Sequence, residues 1–232
     1  MAKKMISIST EPTKNFGELL EYANILRDSC DFLHCDVMDE TFVGRDLLSL
    51  ETIKKINAHT LIMLDVHLMT NDLKNKYVSF VEAGANILTI HYESFSSEKR
   101  LLKVIKQIHD NGALAGLSFK PETPLDKILQ MVKFVDLVLI MSVKPGKSGQ
   151  NFLSETYEKV EKLNAFRKNN GLKFFIEVDG GIVPEIAEKL FDRGVDIVVS
   201  GSYVYNSDDK KNACLTIKGE KNWVLYNLLW YN

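Results

Sequence analysis

The sequence predicts an α/β chain closed into a (β/α)8 barrel, and three observations carry that expectation. Short apolar runs alternate with segments of helical spacing through eight units. No Pro/Gly/Ser-rich linker or charge block interrupts the alternation, so residues 1–232 read as a single domain. Several apolar runs end in His, Asp or Ser, at the carboxyl ends of strands, where a barrel of this kind builds its sites. An open doubly wound sheet is the competing architecture, but it more often stops at about six strands and does not need the return through all eight.

The elements follow in order. Met5 to Ser9 reads as the first strand. From Asn15 to Ser29 the residues Phe16, Leu19, Leu20, Ala23 and Leu26 recur at helical spacing, with Asn15 as N-cap. Phe32 to Val37 is the second strand, and the loop after it, Met38 to Arg45, is long enough to reach over a site. Leu47 to Ile56 predicts a helix, Leu61 to Leu68 the third strand, and Asp72 to Ala83 a helix ended by Gly84, whose missing Cβ suits a left-handed C-cap. Asn86 to His91 is the fourth strand, apolar as a strand buried on both faces should be. Glu98 to Asp110 is a helix stopped by Asn111-Gly112, Ala113 to Phe119 a strand stopped before Pro121, and Leu125 to Lys133 a short helix. Val135 to Val143 is the sixth strand and Ser154 to Lys168 its helix. Leu172 to Asp179 is the seventh, followed by a helix from Pro184 to Arg193, and Ile197 to Ser200 is the eighth. The last helix comes from Asp209 to Ile217 or from the aromatic tail, Trp223 to Tyr231, which packs back on the barrel or contacts another copy.

Composition excludes several classes. With 45% hydrophobic and 26% charged residues the chain reads as an ordinary soluble globule. A formal net charge of -2 gives no reason to expect nucleic acid or an anionic membrane as partner, while small anionic metabolites stay open. No stretch approaches the roughly 18 apolar residues of a membrane helix, and the amino terminus alternates apolar and polar too early for a signal peptide. Cys30, Cys35 and Cys214 form neither a CxxC pair nor an even disulfide framework, which favours a reducing compartment and a cytoplasmic protein.

The chemistry centres on Leu33-His34-Cys35-Asp36-Val37-Met38-Asp39. The side-chain period of a strand is two, so His34 and Asp36 share one face while Leu33, Cys35 and Val37 take the other. Leu64-Asp65-Val66-His67-Leu68-Met69 repeats the design, and Phe174 to Asp179 ends in a carboxylate followed by Gly180-Gly181. His34, Asp36, His67 and Asp179 thus offer two imidazoles and two carboxylates, a ligand set for one divalent ion per chain of the Zn, Mn, Co or Fe type. The plainer reading is a hydrogen-bonded cluster without metal. Gly146, Lys147, Ser148 and Gly149 after strand six, Gly180-Gly181 after strand seven and Gly201-Ser202 after strand eight lie where a barrel grips phosphate. The plainer reading of each alone is a tight turn.

The ordered set of motifs resembles the ribulose-phosphate 3-epimerase family of TIM barrels, of the ribulose-phosphate-binding type, which also contains the allulose-6-phosphate 3-epimerases. The matching stretches are Leu33 to Asp39 with Phe42-Val43, Asp65 to Met69, His91-Tyr92-Glu93, Pro121 to Pro124, Val143 to Gln150 with Phe152, Val178 to Ile182, and Gly201-Ser202. The resemblance implies that His34, Asp36, His67 and Asp179 ligate the metal and that Asp36 and Asp179 also transfer the protons on opposite faces of the substrate. It implies substrate-binding roles for Ser9, His67, Met38, Met69 and Met141, and a phosphate grip formed by Gly146 to Gly149, Gly180, Gly181, Gly201 and Ser202. The departures lie at the rim. Ile8 replaces a proline before Ser9; Glu40, Gly44 and Arg45 replace glycine, proline and asparagine; and Lys144, Lys147 and Ser148 replace an asparagine or aspartate, a phenylalanine and a glycine.

The implied reaction is metal-dependent 3-epimerisation of a ketose phosphate, D-ribulose 5-phosphate to D-xylulose 5-phosphate. The allulose 6-phosphate reaction is the alternative inside the family. Outside it stand a decarboxylase, whose relatives carry lysine where this chain has His67, and a noncatalytic sugar-phosphate-binding barrel, which has no need of two opposed aspartates. The expected partners are the small-molecule ketose phosphate and further copies of the chain in a homo-oligomer.

Overall fold

A computed structural model describes residues 3–71, 73–74 and 76–220. The aromatic tail, Trp223 to Tyr231, lies outside the described residues. Eight parallel strands pair in sequence order and close into a barrel: β1 (Met5–Ser9), β2 (Phe32–Met38), β3 (Met63–Met69), β4 (Ala85–His91), β5 (Leu114–Phe119), β6 (Leu137–Met141), β7 (Phe175–Asp179) and β8 (Ile197–Ser200). The pairing of β1 with β8, Met5 opposite Ile197, closes the ring and removes every free sheet edge.

Helices run outside the strands: α1 (Phe16–Leu26), α3 (Leu50–His59), α4 (Tyr77–Glu82), α5 (Glu98–Asp110), α6 (Leu125–Leu129), α7 (Thr156–Asn169), α8 (Pro184–Asp192) and α10 (Lys210–Lys218). Two short helices, α2 (Glu40–Val43) and α9 (Ser202–Tyr205), sit in the loops after β2 and β8. Local sequence explains their placement. Asn15 caps α1 by accepting the Glu18 N–H, and Glu18 returns the contact by accepting the Lys14 N–H at 2.8 Å. In α5 the buried residues Leu101, Val104, Ile105 and Ile108 form a single stripe, and Ser97 caps the first turn.

Strand periodicity divides the core in two. Leu33, Cys35, Val37, Leu64, Val66, Ile176 and Val178 face outward into the layer between barrel and helices. Phe32, Ile87, Leu137, Leu139, Met141, Val143 and Ile197 form a separate apolar cluster inside the barrel, with Met5 against it. Met141 and Val143 carry this cluster up to the barrel mouth.

Several expected boundaries move. Leu47 opens no helix, because its backbone exchanges hydrogen bonds with Met38 at 2.9 and 3.3 Å; α3 starts after Ser49, which accepts the Thr52 N–H. The helix expected from Asp72 begins at Tyr77, whose hydroxyl accepts the Leu73 N–H. The helix expected over Leu125 to Lys133 is split into α6 and a 3-10 turn at Val132–Phe134. Gly84 follows α4 with φ +111, and a Cβ there would lie 2.2 Å from Asn57 Cγ, so both backbone angle and space require glycine.

Candidate active site

Register brings the polar strand ends together. In the β2/β3 pair Asp36 lies opposite His67 and His34 opposite Asp65. His34 Nε2 and His67 Nδ1 each lie 3.3 Å from the same Asp36 oxygen, Oδ1. Ser9 Oγ donates to the other oxygen, Oδ2, at 3.2 Å. Asp179 joins from β7, so that one ligand atom from each of His34, Asp36, His67 and Asp179 lies within 4.8 Å of the others.

Behind this quartet stand residues with which sequence reasoning associated no role. Asp65 Oδ2 lies 2.5 Å from His34 Nδ1 and accepts the Ser7 hydroxyl at 2.9 Å. Glu177, fully buried, faces Asp65 and His34 within 4.8 Å. His91 Nε2 lies 2.9 Å from His67 Nε2, and His91 Nδ1 lies 3.2 Å from Glu93 Oε2. The signal for the first three was present in the period of two: Ser7 precedes Ser9, Asp65 precedes His67 and Glu177 precedes Asp179 by two residues on the same inward face.

Burial and charge set the protonation pattern. Burial disfavours charge on His34, yet the carboxylates of Asp65 and Asp36 outweigh it and hold its pKa well above the ordinary imidazole value. Burial likewise opposes ionisation of Asp36 and Asp65, but the adjacent His34 overrides it and holds both below the usual carboxylate range. Asp179 goes the other way: burial outweighs the opposing effect of His34 and, with the charges of Asp36 and Asp65 in the same sense, pushes it up to about 7. Burial pushes His67 down to about 4. Glu177, buried and beside the Asp65 charge, is raised well above its ordinary value.

The donor set fits a divalent cation. With Nδ1 of His34 engaged by Asp65, its buried Nε2 has no hydrogen-bond partner among the described residues and points at Asp36. Two imidazole nitrogens and carboxylate oxygens of both aspartates crowd one point, an arrangement a cation stabilises and an apolar core does not. The Asp65 carboxylate behind His34 is the kind of partner that orients a metal-binding imidazole.

Above the floor opens a solvent-connected cleft of about 540 Å³. Ser9, Asp36, Met38, Met69, Met141 and Asp179 line its base, and Gly146, Lys147, Ser148, Gly149, Gly180, Gly181, Gly201 and Ser202 line one side. His34 and His67 are fully buried beneath it. The glycine loops pack against one another: a Cβ on Gly181, at φ +63, would lie 2.7 Å from Phe152 N and 2.9 Å from Gln150 O. Gln150 Nε2 donates to the carbonyls of Lys144 and Lys147, each at 2.7 Å, and closes the loop after β6. At the opposite rim Arg45 Nη2 donates to Glu11 Oε1 at 2.5 Å and joins the loops after β1 and β2.

Fold and floor together define a TIM-barrel enzyme centre whose His/Asp cluster suits a divalent metal ion. The sequence profile of the Ribulose-phosphate 3 epimerase family matches residues 5–205, and the chain belongs to that family; it is an isomerase of the epimerase class. A ribulose-5-phosphate-3-epimerase of Arabidopsis thaliana, a chloroplastic protein, is 36% identical over 208 residues, covering 89% of this chain and 74% of the relative. The ribulose-phosphate 3-epimerase of Chlamydia pneumoniae is 35% identical over 226 residues, covering 94% and 97%. Among solved structures, 3-keto-L-gulonate-6-phosphate decarboxylase from Vibrio cholerae superposes with a TM-score of 0.73 at 14% identity, covering 94% of this chain and 96% of that one, and shares the fold. No helix among the described residues is long and apolar enough to cross a membrane.

Proposed function

We propose that the chain interconverts D-ribulose 5-phosphate and D-xylulose 5-phosphate by moving protons between C3 and two aspartates, Asp36 and Asp179. The observation that carries this reading is the meeting of those two carboxyls on the floor of a single cleft, Asp36 held below the usual carboxylate range and Asp179 pushed up to about 7. Opposed groups of unlike protonation are what inversion at a carbon needs: one accepts the proton on one face and the other delivers its own to the opposite face. The pair then stands with its protons exchanged, ready for the reverse reaction, and its titration belongs to both members together.

His34, Asp36, His67 and Asp179 would hold one ion of the Zn, Mn, Co or Fe type per chain, since two imidazoles with two carboxylates suit these ions better than magnesium. Bound there, the ion supplies Lewis acidity toward the ketose oxygens and so acidifies the C3 hydrogen. Ser9 orients Asp36 through its hydrogen bond. Met38, Met69 and Met141 give the reacting carbons an apolar surround that limits exchange with water. The close-packed backbone at Gly180, Gly181, Gly201 and Ser202, with Gly146 to Gly149, receives the phosphate, and Lys147 adds positive charge at the rim.

Allulose 6-phosphate is a second substrate reading, favoured by the changed rim at Lys144, Lys147 and Ser148, because one further carbon alters mainly the distance from floor to phosphate. The single domain is proposed to act in the cytoplasm, consistent with the free cysteines Cys30, Cys35 and Cys214. A homo-oligomer is the proposed assembly, supported by the exposed side chains of Leu61, Met63, Leu114 and Phe175 at the strand amino ends. The deciding experiment assays metal-replete protein on both ketose phosphates in deuterated water. Epimerisation with deuterium entering C3 is expected, faster on the pentulose; a tenfold preference for the hexulose overturns the substrate, and inactivity on both overturns the enzyme reading.

A further inference from the structure

Two groups compete for the hydrogen of His67. Its Nδ1 faces the Asp36 carboxylate at 3.3 Å and its Nε2 faces His91 Nε2 at 2.9 Å, while the ring itself is fully buried, so water does not enter the competition. A neutral imidazole carries one N–H. Left to Asp36 alone, that hydrogen would sit on Nδ1, and the bare nitrogen would point away from the cluster.

We infer that His91 and Glu93 are a positioning pair that places the His67 hydrogen on Nε2 and thereby presents a bare Nδ1 to the cation site. Glu93 sets the direction of the hydrogen bonds. Its Oε1 accepts the Lys120 backbone N–H at 2.9 Å and the Thr123 hydroxyl, and its Oε2 faces His91 Nδ1 at 3.2 Å. An acceptor on that side requires the hydrogen of His91 to be on Nδ1. The neutral His91 ring then has a bare Nε2, and two ring nitrogens 2.9 Å apart need one hydrogen between them, which only His67 can supply. The ring centroids lie 4.9 Å apart with the planes inclined by 23°, nearly the separation of two rings joined end to end through these nitrogens, so an in-plane N–H lies close to that line.

The pair is itself held in place. His91 is fully buried, and the Phe42 ring packs against it with centroids 4.9 Å apart. Lys120 Nζ stands 4.3 Å over the other part of this support, the Phe42 ring. The short helix of the loop after β2 therefore packs against His91. This inference rests on the proposed metal site, but the arrangement of the hydrogens can be read without any metal.

Glu93→Gln is the informative variant because it changes one atom. The fixed Lys120 N–H keeps the amide oxygen on its side, which turns the amide NH2 toward His91 and reverses both hydrogen bonds in the chain. In metal-free wild-type protein, two-bond 15N–1H spectra of the imidazoles are expected to show His67 protonated on Nε2, and in Glu93→Gln on Nδ1. Chelator competition with Co2+ is expected to show affinity reduced about 10-fold to 100-fold in Glu93→Gln. In a His91→Phe background, where the chain is already cut, Glu93→Gln should change Co2+ affinity less than twofold, which a loss of packing alone would not reproduce. His67 protonated on Nδ1 in the wild type, or full Co2+ affinity in Glu93→Gln, overturns the inference. Wild-type protein that binds no Co2+ overturns the metal reading instead, and the spectra still decide the role of the pair.

Discussion

Metal uptake should depend steeply on pH, and the structure sets the slope. In the metal-free protein Asp65 and Asp36 favour the protonated form of His34, and Asp179 titrates at about 7, whereas Asp36 is ionised and His67 neutral across the neutral range. A cation that takes all four ligands competes with the protons of His34 and Asp179, so affinity falls as pH falls. Between about pH 6 and about pH 8, Asp179 contributes about one order of magnitude in total and His34 adds to it in the same sense, for a rise of at least about tenfold, or about 1.4 kcal/mol. Proton release per ion should accordingly be larger at the acid end, where Asp179 holds its proton, than at the alkaline end. Chelator-buffered Zn2+ titrations across this range measure the first quantity, and calorimetry in buffers of different ionisation enthalpy measures the second. A change of less than tenfold, or release of fewer than one proton at the acid end, would show that His34 and Asp179 are not the groups in competition with the ion.

Two glycines supply further tests. Gly181→Ala puts a Cβ against the backbone of residues 150–152 at a positive φ, and should raise KM for the ketose phosphate at least about tenfold while leaving Zn2+ affinity within about twofold. Equal losses in both would argue against a phosphate role for that loop. Gly116→Ala sets a Cβ 2.1 Å from Thr89 Oγ1 inside the barrel and should lower stability in urea by about 1–3 kcal/mol through overpacking; an unchanged midpoint would mean that β4 and β5 yield more readily than a closed barrel should.

Local pattern determined much of this protein. The alternation of short strands with amphipathic helices led to the closed barrel, and the period of two placed His34 with Asp36 on the inward face and Leu33, Cys35 and Val37 on the outward one. The family resemblance in ordered motifs pointed to the same floor, where the four expected ligands meet. Other features depended on which strand lies beside which, and at what stagger. Leu47 looked like the start of a helix until the return of its loop set it against Met38. Asp65, Glu177 and His91 carried no role as isolated letters; they acquired one because pairing sets Asp65 opposite His34, and barrel closure brings Glu177 and His91 within reach of the same centre. Hydrophobic periodicity is a property of neighbours along the chain and can be read there. The hydrogen that decides which nitrogen of His67 is bare is governed by residues from three strands and a loop, and no local pattern carries that register.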